Sequence, residues 1–304
     1  MSLYFRMAAL FLVLTGMLML IGYAIGFYFG DPLVFMGLGL VLAGAVNFVA
    51  FYWSDTMVVK MSRAKIIQES DNPILFGTVR SVAQRAGIPM PRVGIVDSQQ
   101  PNAFATGRGP EKAVVVATSG ILNTLDQKEL EAVIGHEIGH VVHRDVFMSS
   151  VAATIAGVIS YVGTIALWST MLGGTGGNNR NGGNPLILIA AVILVPLGAT
   201  FVRLGISRSL EYNADEYGAK LTHDPAGLAS ALQKITAKAK TRSISGNPRT
   251  GGSGGGPSPA TASLWIVNPF KGSSLVEMFS THPSTEHRVE RLRKIGEEIG
   301  VYVR

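Results

Sequence analysis

Long apolar runs alternating with polar stretches set the plan of this chain. Residues 7–29 are almost wholly apolar, and about 20 such residues suffice for a helix to cross a bilayer. Gly30-Asp31-Pro32 reads as a tight turn, and residues 34–53 as a second span. Residues 146–172 and 186–202 form another apolar pair, joined by the flexible Gly- and Asn-rich stretch 173–180. For this second pair a hydrophobic hairpin against the soluble part is the alternative, and spanning is the preferred reading. The first run exceeds the roughly 7–15 apolar residues of a signal-peptide core, and a second span follows it at once, which argues against a cleaved leader. Tyr23, Phe27, Tyr28, Tyr52 and Trp53 stand where interfacial aromatic residues belong.

The segments between the runs predict a domain of helices with two short strands. Asn72-Pro73 opens a helix that Gly87 closes, with Pro89 beyond it. Residues 92–96 and 113–118 read as short strands, with Asn102-Ala103-Phe104-Ala105-Thr106-Gly107 between them. Residues 125–145 read as one helix, Asp126 its N-cap and Glu129 the capping-box partner. Residues 207–221 predict a helix carrying Glu211 and Asp215. Asp224-Pro225 starts another, with Leu228, Leu232 and Ile235 on one face. Residues 243–262 are rich in Gly, Ser and Pro and read as a mobile loop, and a short amphipathic helix follows Pro283. The expected division is an N-terminal hairpin (1–55), a first catalytic half (56–145), a second hairpin (146–206) and a second catalytic half (207–304). No internal repeat is visible.

Composition sharpens the membrane reading. Charged residues make up 15% of the 304, against about 25% in an average soluble chain. The net charge of +6 suits basic residues flanking membrane segments, rather than nucleic acid. Arg6 precedes the first run and no Lys or Arg recurs until Lys60, Arg63 and Lys65. The turn at Asp31 is therefore expected outside and both flanks in the cytoplasm. His143, Arg144, Arg203 and Arg208 flank the second pair in the same sense. With no cysteine, no disulfide and no thiolate metal site is possible, so any zinc must be held by His and carboxylate.

His136-Glu137-Ile138-Gly139-His140 carries the chemistry. Residues four apart on a helix share a face, so His136 and His140 can close on one metal ion. Glu137 beside them can hold and deprotonate a water. A hydrolytic zinc takes three protein ligands. The Gly-then-His continuation of one zinc-protease class is absent after His140, and so is the Leu-Asp-Gly triplet of the intramembrane site-two proteases. A carboxylate from a later helix remains. Glu211 and Asp215, also four apart, fit it: Glu211 as ligand, Asp215 as acceptor for the free N–H of a liganding imidazole. His282 and Arg288 are candidates either to support the ligands from behind or to stabilise an oxyanion at the open coordination position.

Together with Asn102 to Gly107, Glu211-Tyr212-Asn213-Ala214-Asp215 and Thr281-His282-Pro283, this motif resembles the HtpX-like membrane zinc metalloproteases, relatives of the CAAX prenyl endopeptidases. The resemblance implies a mainly α membrane protein of four transmembrane helices with an α+β gluzincin-type domain. It implies one Zn2+ on His136, His140 and Glu211, and catalysis by Glu137. The expected activity is endoproteolysis of misfolded or damaged membrane proteins by zinc-activated water, at the cytoplasmic face of the cell membrane, in stress response and quality control. The expected partners are polypeptide substrates and the lipid bilayer, with no nucleic acid. An extended substrate is expected to add as a strand beside residues 102–107, with Asn102 helping to hold it. Rival readings are a catalytically silent membrane adaptor, a zinc transporter and a prenyl-protein endopeptidase. The adaptor would tolerate loss of Glu137 or a ligand. The transporter would want His or Asp inside the spans, which hold only Asn47 as a notable polar residue.

Overall fold

The structure is a computed structural model, and it describes residues 3–155, 208–245, 283–301 and 303. The chain forms two compact units, one of residues 1–54 and 151–205, the other of 55–150 and 206–304.

In the first unit, α1 (Leu3–Phe29) turns at Gly30 into α2 (Pro32–Met61). Asp31 caps α2 by accepting from the Val34 N–H at 3.1 Å. The helix backbones touch at glycines: a Cβ on Gly22 would stand 2.2 Å from the Phe35 carbonyl oxygen, and one on Gly39 2.3 Å from that of Leu18. Small residues at such crossings are typical of helix pairs in lipid. Asn47 spans the pair, donating to Thr15 Oγ1 at 3.1 Å. Leu12, Leu20 and Val41 point outward, largely exposed. Met7–Phe27 and Pro32–Met61 are the two stretches long and apolar enough to cross a membrane among the described residues. Among the described residues two such helices are therefore present, where the sequence predicts four over the whole chain. The second expected pair lies outside the described residues, except for the apolar helix Asp145–Ile155, which we call α6.

The second unit is built on a four-stranded sheet. Its strands are β1 (Lys65–Ile67), β2 (Arg92–Val96), β3 (Ala103–Thr106) and β4 (Val114–Thr118), in the order β1-β2-β4-β3. The β2–β4 pair is parallel, and the other two pairs are antiparallel. Central β4 is buried throughout, which its unbroken run of Val114, Val115 and Val116 allows. β1 was not foreseen, because three residues in a basic flank carry no alternation signal. α5 (Gln127–Val142) meets the sheet at β3; α3 (Pro73–Arg85), α7 (Arg208–Thr222) and α8 (Pro225–Ser245) pack against α5, and α9 (Thr285–Glu298) packs on α7 and α8, while α4 (Ser119–Leu122) is a single turn after β4. Leu75 and Val82 of α3, Ile134 and Ile138 of α5, Leu232 and Ile235 of α8 and Leu292 of α9 share one core with the sheet.

The helix starts follow their capping residues. Asn72 Oδ1 accepts from the Leu75 N–H at 2.9 Å. Asp126 and Glu129 form the full capping box, at 2.9 and 3.0 Å. The buried Glu129 also accepts from Ser230 Oγ and pairs with Lys234 Nζ, each at 2.6 Å, which ties α5 to α8. Two boundaries differ from expectation. α8 runs on to Ser245, so its last turn overlaps the start of the expected loop. The helix expected over 125–145 ends at Val142, because Arg144 takes a left-handed backbone (φ 61°) and α6 begins at once at Asp145.

Candidate active site

α5 carries His136, Glu137 and His140 into the interior of the second unit, where His136 and Glu137 are buried. Lying one turn apart, the two imidazoles have their ring centroids 4.8 Å from each other. α7 crosses α5 closely enough to supply the third group. Its Gly218 sits against the backbone of Gly135 and His136, and Ala214 lies against Gly139. A side chain at any of the three glycines would hold the helices apart.

That close approach delivers Glu211. Its Oε1 lies 3.4 Å from His140 Nε2 and its Oε2 3.8 Å from His136 Nε2. One ligand atom from each of His136, His140 and Glu211 falls within 4.8 Å of the others. Both Nε2 atoms therefore face the carboxylate, and a cation set among the three would touch only hard and borderline donors. Such a donor set suits zinc.

Behind the ligands stands a buried charge network. Asp215 Oδ1 is 2.9 Å from His136 Nδ1, within hydrogen-bonding distance. Arg288 of α9 clasps the same carboxylate, Nε donating to Oδ2 at 2.8 Å and Nη2 to Oδ1 at 2.6 Å. Its Nη2 also lies 3.4 and 3.5 Å from the two ring nitrogens of His136, and its Nη1 3.6 Å from Glu211 Oε2. Arg288, Asp215 and Glu211 are all almost fully buried. Burial alone would raise the Asp215 carboxyl, but the Arg288 cation and His136 outweigh it and hold Asp215 below the usual carboxylate range. Burial would lower His140, yet Asp145, Glu211 and Glu137 push it up to about 10 in the metal-free chain.

Glu137 points the other way, toward the sheet. Its Oε2 accepts from the Ala105 N–H of β3 at 2.9 Å. Burial pushes its carboxyl up, partly opposed by His136 and His140. That direction suits a group that both takes and returns a proton near neutrality. Edge strand β3 explains why the Ala105 N–H is available. Thr118 N–H donates to the Asn102 carbonyl at 2.9 Å, so the next hydrogen-bonded pairs with β4 fall at Phe104 and Thr106. The backbone groups of Ala103 and Ala105 then point away from β4.

The fold brings six of the expected site residues together: His136, Glu137, His140, Glu211, Asp215 and Arg288. Of the two places expected for Arg288, behind the ligands or beside the open coordination position, its guanidinium takes the first, on Asp215 behind His136. Asn102 is buried at the head of β3, its backbone locked to Thr118 at both N–H and C=O. His282 lies outside the described residues. The Ala105 N–H was invisible to sequence reasoning, since every residue but proline carries one. The glycine seam was legible in principle, because Gly135 and Gly139, like Ala214 and Gly218, are four apart.

Two helical imidazoles and a carboxylate around one point, with a second carboxylate at hand, are the donor set of a zinc-dependent hydrolase. Comparison with known proteins agrees. The model of Peptidase family M48 matches residues 69–296. A "Protease HtpX homolog" of Pyrococcus furiosus is 46% identical over 301 residues, covering 99% of this chain and 98% of the relative. Another from Thermococcus kodakarensis is 43% identical over 299 residues, covering 98% of each. The crystal structure of S. mikatae Ste24p is similar at a TM-score of 0.43 and 20% identity, over 94% of this chain and 64% of that one. The chain belongs to peptidase family M48, whose members use zinc, and is a metalloendopeptidase.

Proposed function

We propose that the chain is a membrane-integrated endopeptidase that binds one zinc ion per chain on His136, His140 and Glu211, with Glu137 as its proton-transfer group. It cleaves misfolded or damaged membrane proteins at the cytoplasmic face of the cell membrane, as part of quality control. The observation that carries this reading is the convergence of the three ligand atoms within 4.8 Å, with Glu137 turned toward the edge strand. The apolar pair α1 and α2 supports anchorage, and the second apolar pair (146–172 and 186–202) completes a four-helix membrane part in the same reading.

Bound at this site, zinc supplies a Lewis acid that lowers the pKa of water and polarises a carbonyl. The chain's residues do the rest. Glu137 takes a proton from the attacking water and returns it to the leaving amine, so the scissile bond breaks without releasing a free amide anion. The Ala105 N–H fixes one oxygen of Glu137 and leaves the other to exchange the proton. Asp215, held by Arg288, keeps the His136 ring oriented with Nε2 toward Glu211. The substrate backbone adds beside the outward edge of residues 102–107 through backbone groups other than the Ala105 N–H, which Glu137 holds, with Asn102 anchoring the start of that strand. Pairing through backbone groups tolerates many sequences, which suits a protease acting on damaged chains.

The test is cleavage of casein and of a reconstituted membrane protein by the purified, zinc-loaded chain. Glu137→Ala is expected to retain stoichiometric zinc and to cut neither substrate. Persistent self-cleavage in that variant would overturn the mechanism.

A further inference from the structure

The two imidazoles differ in what holds their second nitrogen. Nδ1 of His136 has Asp215. Nδ1 of His140 faces the carboxylate of Asp145, whose Oδ2 lies 3.6 Å away. That oxygen is buried and has no hydrogen-bond partner among the described residues. A buried carboxylate oxygen without a donor is costly, and it stands beside a ring nitrogen able to donate. A shift of about 0.6 Å would close a normal N–H···O bond.

The backbone turns just before Asp145. α5 ends with the His143 N–H on the Gly139 carbonyl at 3.0 Å and the Arg144 N–H on that of Val141 at 3.1 Å. Arg144 then adopts φ 61°, a left-handed conformation that glycine takes freely and arginine does not. The chain leaves α5 at that residue, and Asp145, the first residue of α6, lies beside His140. Arg63 after α2 and His223 after α7 end their helices in the same left-handed way, so the turn is a helix stop that also sets where Asp145 falls.

We infer that Asp145 is a positioning residue of the metal site, its carboxylate holding the Nδ1–H of His140 so that Nε2 is presented to the cation. It rests on the proposal that His140 is a zinc ligand. Each liganding imidazole then has its own carboxylate, Asp215 from α7 and Asp145 from the start of α6. The competing role for Asp145 is an acidic residue in the first turn of α6, favourable to the helix dipole but indifferent to zinc.

Zinc affinity separates the two. The full chain in detergent is titrated with zinc against a chelator, and the melting temperature of the metal-free form is recorded alongside. Asp145→Ala is expected to weaken zinc binding by about 10–100-fold, as loss of such an orienting partner does elsewhere. Asp145→Asn keeps an acceptor oxygen and is expected to stay within about fivefold of wild type, although it loses the helix-end charge. Asp145→Ala that lowers the melting temperature yet binds zinc like wild type overturns the inference. His140→Ala tests the underlying reading separately: if it binds zinc as wild type does, His140 is no ligand.

A measurement on the unaltered chain covers the case of a variant that does not fold. In the cadmium-113-loaded, nitrogen-15 histidine-labelled protein, His140 is expected to couple to the metal through Nε2 and to keep a protected proton on Nδ1. Coupling through Nδ1 overturns the inference, because that nitrogen would have no proton to give Asp145.

Discussion

Gly218 of α7 lies so close to His136 of α5 that a Cβ on it would stand 2.6 Å from the His136 backbone nitrogen. Neither partner can give way cheaply, because both are helix backbone. The spacing of the two helices, and hence the reach of Glu211 to the imidazoles, depends on a missing methyl group. Gly218→Ala is expected to push α7 outward and to cost about 1–3 kcal/mol by overpacking, despite alanine's better helix propensity. Zinc content after dialysis should fall with it. A variant with full zinc and unchanged melting temperature would show that the seam has slack.

Arg288 should matter through Asp215. Arg288→Met removes a buried cation and leaves Asp215 and Glu211 without their compensating charge, at an expected cost of about 3–5 kcal/mol. Arg288→Lys keeps the charge but loses the two-pronged grip made by Nε and Nη2, so partial recovery of stability with weakened zinc binding is expected. Chemical denaturation with and without zinc measures both.

The Ala105 N–H can be removed without disturbing the ladder to β4, because it points to Glu137 instead. Ala105→Pro is therefore tolerable on this edge strand. Its kcat should fall about tenfold or more with zinc stoichiometry retained, since a misplaced proton-transfer group forfeits much of the ~10²–10⁴-fold that such a group contributes. A kcat equal to wild type would mean that Glu137 finds its position without β3.

Zinc binding should compete with protons. His140 is pushed up to about 10 in the metal-free chain, above its ordinary 6.5, so at pH 7 the zinc-free site holds a proton that zinc must displace. The apparent zinc affinity is expected to rise by about tenfold per pH unit from pH 7 to 9, with a proton released to the buffer. The sign for stability is opposite. In the metal-free protein the raised His140 contributes stability fully present below pH 6.5 and lost as pH rises through about 10. Calorimetric zinc titrations in buffers of different ionisation enthalpy count the proton.

Much of this was legible beforehand wherever the signal is local. The capping box at Asp126 and Glu129, the N-cap at Asn72 and the two apolar helices follow from neighbouring residues alone. The His136 and His140 pair follows from the helical repeat. What was misread depended on distant partners. β1 exists because Lys65 to Ile67 meets the edge of β2. α5 stops at Val142 because the chain turns at Arg144, where arginine gives no hint of a left-handed residue. For Arg288 the sequence left two places open, behind the ligands or beside the open coordination position. The fold gave it to Asp215, whose burial requires a counter-charge.

By itself the sequence determined which side chains stand one helical turn apart, and so which donors form pairs: His136 with His140, Glu211 with Asp215. It could not determine which oxygen meets which nitrogen. That was decided by the tertiary structure, through the glycine seam that lets α7 approach α5 and through α9, which brings Arg288 from 73 residues beyond Asp215. The physical reason is range. Helical periodicity is set by backbone geometry within four residues, whereas burying a charge network requires groups from distant segments to neutralise one another.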